Sequence, residues 1–164
     1  MSDTSAPAGG PADPNAPAPQ PAALRVMSQY VRDLSFENPG NLTVQEQPGI
    51  DLGIDVSAQP HASGPDVYEV ALKLAATAKA GDQPLFVTEL DYAGVFQLQG
   101  IAEDQIEPML LIECPRLLFP FARRIVAEIT REGGFPPLLI DPVDFVSLYQ
   151  QQKAREAAPG QPQA

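Results

Sequence analysis

Between Tyr30 and Glu37 apolar and polar side chains alternate with the period of two that a strand requires, and related alternations recur along the chain up to Leu98. In the second stretch Ile50, Leu52, Ile54 and Val56 interleave with Asp51, Gly53, Asp55 and Ser57, which predicts a strand with one dry and one wet face. The loop ahead of it carries Pro39, Gly40, Pro48 and Gly49, and Gln59 to Asp66 reads as a further loop. Tyr68, Val70, Leu72 and Leu74 then share a face opposite Glu69 and Lys73. After a turn at Ala80-Gly81-Asp82 the pattern resumes from Leu85 to Leu98, predicting a long hairpin. Four strands with short connections predict one antiparallel sheet covered on a single side.

The period changes after Gly100. A proline-interrupted helical piece from about Glu103 to Glu113 leads to Pro115, suited to a helix start, and Gly133-Gly134 supplies the stop. Asp141-Pro142 is expected to open a last helix running to about Ala154. The fold class is α+β, with four antiparallel strands followed by helices packed on one face.

In the helix from Pro115, the apolar residues from Leu117 to Ile129 cover roughly 200° of the circumference, about twice the stripe needed to sit on one sheet. One face is therefore expected to meet the sheet and another a second subunit, with Leu118, Ala122, Ile125, Val126 and Ile129 as interface candidates.

Composition narrows the function. The 164 residues suit one domain, and residues 1–22, with six prolines among Ala, Gly and Ser, read as a disordered tail, as do residues 157–164. The folded domain is expected over 23–156. Ten Lys and Arg against 21 Asp and Glu give a net charge of -11, which repels phosphate backbones and anionic lipid surfaces and favours basic polypeptides. The single Cys114 cannot form an intramolecular disulfide, and neither a signal-peptide pattern nor a membrane-length apolar run is visible. The reading is a soluble, cytoplasmic protein.

Catalytic chemistry finds little support. His61 is the only histidine and lies in a Pro-Ser-Gly loop, so no histidine triad or histidine metal cluster can be assembled within one chain. Cys114 has no histidine nearby to act as its base. Asp51-x-Gly53-x-Asp55 lacks the distal acid of a calcium loop, and no phosphate-cradling glycine motif is present. No cofactor or metal is expected, and the protein reads as a binding module. What stands out is an acidic outward face: Asp33 and Glu37 share one side of the first strand, and Val87, Glu89 and Asp91 alternate with Phe86, Leu90 and Tyr92 on the fourth.

Several stretches resemble SecB, the bacterial protein-export chaperone family: Leu-Ser-Phe-Glu-Asn-Pro at 34–39, Asp-Val-Tyr-Glu-Val from Asp66 and Gly-Val-Phe-Gln-Leu-Gln-Gly-Ile at 94–101. Cys-Pro-Arg-Leu-Leu-Phe-Pro-Phe-Ala-Arg from Cys114, and Gly-Gly-Phe-Pro-Pro with Asp-Pro-Val-Asp-Phe up to Phe145, complete the set. The resemblance implies a homotetramer, a dimer of dimers with long helices between two composite sheets. It also implies ATP-independent holding of unfolded precursor proteins and their delivery to the SecA motor. The family's motor-docking positions correspond to Asp33, Glu37, Val87 and Glu89, and its client grooves to Leu42, Val44, Phe145 and Tyr149. Better-known members carry a tryptophan in the loop after the first strand, whereas this chain has none. The competing reading is an acidic adaptor or inhibitor that binds one folded partner.

Overall fold

The computed structural model describes residues 14–18, 20–40, 48–158 and 160. Four strands, β1 (Ala23–Glu37), β2 (Gly49–Pro60), β3 (Val67–Ala80) and β4 (Gln83–Gln99), form one antiparallel sheet in the order β1-β4-β3-β2. The α+β expectation holds. β1 is longer than the Tyr30–Glu37 alternation suggested because its pairing with β4 slips at two bulges, between Val26 and Ser28 and between Val31 and Asp33. Each bulge inserts a residue and inverts the facing of everything beyond it, so Leu24 and Val26 share a face with Val31 and again with Leu34 and Phe36. A simple period-of-two reading loses the strand at the bulges.

The helices cover one side of the sheet. Helix α1 (Glu103–Pro108) runs through a π-helical turn at Met109–Glu113 directly into α2 (Cys114–Glu132). The expected break at Pro115 is thus absent. In an α-helix the Pro115 ring would collide with the carbonyl four residues back, and the wider π turn accommodates it. The last helix, α3 (Phe145–Ala157), starts later than Asp141-Pro142 predicted. Asp144 is its N-cap, its carboxylate accepting from Ser147 N at 3.1 Å and from the Ser147 hydroxyl at 2.7 Å.

Val70, Leu72 and Leu74 of β3, with Leu90, Tyr92, Phe96 and Leu98 of β4, meet Leu118, Ala122 and Val126 of α2 in the main core. Gly94 lets the helix approach: a Cβ there would lie 2.9 Å from Leu118 Cδ2. The segment after α2 is fastened by Thr130, whose buried hydroxyl donates to Val126 O at 2.9 Å and accepts from Leu138 N at 2.9 Å. Beside it Phe36, Phe86 and Phe135 form an aromatic cluster with centroids 5.1 to 6.4 Å apart.

Three of the expected interface residues are corrected by this packing. Leu118, Ala122 and Val126 are 0, 0 and 1% exposed against the chain's own sheet and have no surface left for a second subunit. Ile125 and Ile129 are half-buried. The most exposed large apolar side chains of α2 are Leu117 and Phe121, and the Phe121 ring stacks 6.4 Å from Tyr92.

Candidate functional site

The uncovered face of the sheet carries the acids. Cross-strand register aligns Asp33 with Asp91, Asp91 with Lys73 and Lys73 with Asp55, so one rung spans all four strands with three carboxylates and a single ammonium. The next rung is Ser35, Glu89, Ala75 and Gly53, and the one beyond is Glu37, Val87, Thr77 and Asp51. The small side chains at 53 and 75 leave a hollow of about 430 Å³, lined in part by Asp33, Asp55, Lys73, Glu89 and Asp91. Asp33, Glu37, Val87 and Glu89 therefore lie on one face, from two adjacent strands, with Glu37 directly opposite Val87.

At the other end of the same face the polar groups are mutually satisfied. Glu69 accepts from the Tyr30 hydroxyl, from Gln59 Nε2 at 3.0 Å and from Arg32 Nη1 at 3.0 Å. The hydrogen bond from Tyr30 holds the Glu69 carboxyl below its ordinary range, and the same bond pushes the Tyr30 phenol up. This network was not read from the sequence. The available signal was Arg32-Asp33, two charged neighbours where strict alternation demands an apolar residue.

On the helix side, Val56, Ala58 and Tyr68 of the sheet face Ile106, Leu110 and Leu111 across a groove of about 530 Å³, with Glu103, Glu107 and Gln152 also lining it. Sequence reasoning missed Ile106, Leu110 and Leu111 because the π turn alters which side chains share a helical face. Of the expected groove residues, Leu42 and Val44 lie outside the described residues. Phe145 is a correction: it is 1% exposed and packs edge-on against Phe119 at 6.0 Å, so it supports the core instead of lining an open surface. Tyr149 is half-buried, and its hydroxyl donates to Glu107 Oε2 at 3.4 Å. Lys153 Nζ also reaches Glu107 at 2.6 Å, tying α3 to α1.

Among the described residues no group of three or more His, Cys, Asp or Glu is placed to hold a metal ion. No helix there is long and apolar enough to cross a membrane. Cys114 is buried, and burial pushes its thiol up to about 12, far from the thiolate a nucleophile requires.

Comparison with known proteins gives a consistent result. The family described as preprotein translocase subunit SecB matches residues 17–156. A protein-export protein SecB of Hyphomonas neptunium is 69% identical over 157 residues, covering 96% of this chain and 93% of the relative. That of Maricaulis maris is 53% identical, with 88% of each chain covered, and that of Caulobacter vibrioides strain NA1000 is 47% identical, with 94% of each covered. Among solved structures, a Mycobacterium tuberculosis SecB-like chaperone in complex with a ChAD peptide from an antitoxin shares the fold, with a TM-score of 0.63 at 13% identity over 73% of this chain and 90% of that one.

Proposed function

The chain belongs to the SecB family of protein-export chaperones, and from that premise we propose that it is an ATP-independent holdase that captures unfolded precursor proteins and delivers them to the SecA motor. In this reading it works in the cytoplasm as a homotetramer. The observation that carries the proposal is the contrast between the two sides of one sheet, a groove with apolar walls on one and carboxylates on the other. The helix side offers an apolar groove of about 530 Å³, suited to side chains of an extended polypeptide. The open side offers Asp33, Glu37 and Glu89 around Val87, suited to a basic, partly apolar patch on a folded partner.

Separate surfaces let a client be held while the motor docks. Client capture draws on apolar burial, at about 25 cal/mol per Å², which added salt does not screen. Docking draws on exposed charge and is screened as ionic strength rises. The test is to reverse Glu37 and Glu89 to Lys together. SecA affinity is expected to fall by about two orders of magnitude at low salt, while suppression of aggregation of several unrelated unfolded proteins stays intact. Unchanged SecA affinity removes the docking role. Failure to suppress aggregation of any client, with tight binding to one folded protein, replaces the holdase by an adaptor.

A further inference from the structure

The bulge between Val31 and Asp33 places Arg32 and Asp33, consecutive in sequence, on the same open face, where a regular strand would have separated them. Asp33 stands opposite Asp91, so a guanidinium at position 32 has carboxylates within reach on both strands. Its fork is divided between Glu69 of β3 and Asp91 of β4. Nη1 lies 3.0 Å from Glu69 Oε1, and Nε lies 3.7 Å from Asp91 Oδ2. Asp91 Oδ1 is buried with no protein hydrogen-bond partner, so that carboxylate could take more of the guanidinium than it has. Glu69 on β3 is itself fixed by Tyr30 from β1 and Gln59 from β2, which makes it a firm anchor.

We infer that Glu69 is a positioning residue for the docking face: by anchoring the Arg32 fork toward β3 it keeps that guanidinium from closing over Asp33 and so leaves the Asp33 carboxylate free for a basic side chain of the partner. The inference rests on the docking role proposed above. Arg favours two-pronged contact with carboxylates, and with Glu69 neutralised the guanidinium retains Asp91, which stands directly opposite Asp33. An internal cation would then occupy a carboxylate that an external one requires.

A double-mutant cycle tests this with the full chain and SecA at low ionic strength, using the parent, Glu69→Gln, Arg32→Gln and the double variant. Glu69→Gln is expected to weaken binding about fivefold when Arg32 is present and less than about 1.5-fold when position 32 is Gln, because the effect acts through the guanidinium. A simple loss of negative charge would give the same factor in both backgrounds, and that result overturns the positioning role. Should Glu69→Gln fail to fold, Glu69→Asp serves in its place: it preserves net charge but draws the carboxylate back by one methylene, and parent-like affinity there also overturns the inference. The Glu37→Lys/Glu89→Lys protein runs alongside. If SecA affinity ignores that reversal, the docking reading falls and this inference with it. If affinity responds to the reversal but the cycle shows equal factors, only the role of Glu69 falls.

Discussion

Leu118 of α2 rests directly on Gly94 of β4, so close that a Cβ on Gly94 would sit 2.9 Å from the Leu118 side chain and 2.8 Å from the Phe96 ring. Neither neighbour can retreat, since both are fully buried in the core. Gly94→Ala is expected to lift the helix or force a strained rotamer, destabilising the protein by about 1–3 kcal/mol. Urea denaturation at fixed protein concentration measures it, and a variant as stable as the parent would show the contact to be looser than the geometry indicates.

Thr130→Val keeps the shape of a buried side chain but removes the acceptor for Leu138 N. An amide left unpaired at that depth costs about 1–3 kcal/mol. The loss should concentrate in the segment after α2, so hydrogen exchange at Leu138 should accelerate more than exchange in the strands.

Surface and core substitutions on α2 should separate assembly from folding. Phe121 is 49% exposed, and Phe121→Asp is expected to convert the proposed tetramer to smaller species with unchanged circular dichroism. Leu118 is fully buried, and Leu118→Asp should abolish the folded signal altogether. Static light scattering paired with circular dichroism distinguishes the two. A Phe121→Asp protein that remains tetrameric removes this side chain from the interface.

Cys114 supplies a pH dependence with a definite sign. The folded protein holds the thiol proton more tightly than the unfolded chain, whose ordinary value is 9.0, with the folded value pushed up to about 12. Stability is therefore unaffected by this group below the lower value and declines as pH rises between the two. Cys114→Ala should flatten that alkaline decline in thermal melts, and iodoacetamide should label Cys114 only in denaturant.

The groove makes its own prediction. Ile106 is half-buried and lines the groove, so Ile106→Glu should place a charge among side chains that an apolar client segment would cover. Suppression of client aggregation should weaken about tenfold with SecA affinity retained, and full protection by the variant would exclude this groove as a client site.

The parts of the fold that follow one simple period were legible in the sequence. β2 pairs with β3 over twelve residues without a slip, and its alternation from Ile50 to Ser57 is as regular as its pairing. Asp33, Glu37, Val87 and Glu89, the positions proposed for docking, share one face because the pairing from Asp33 to Glu37 with β4 runs without a slip. What escaped depends on departures from periodicity. The bulges hid the first half of β1 and the partnership of Arg32 with Glu69, and the π turn hid Ile106, Leu110 and Leu111. Leu118, Ala122 and Val126 were assigned to a subunit contact because apolar periodicity reports that a side chain is covered and is silent about which chain covers it.

The two bulges of β1 also give that strand slack that its neighbours lack. Met27 and Arg32 are each the surplus residue between consecutive pairings with β4, so deleting either one leaves every remaining pair as it stands. A single deletion anywhere in the middle of β2 has no such reserve: the residues beyond it must exchange wet face for dry, bringing an aspartate against the helices. Across related chains, gains and losses of one residue should therefore accumulate in β1 and be nearly absent from β2. Where such a loss removes Arg32, Glu69 would be left without the cation that it holds.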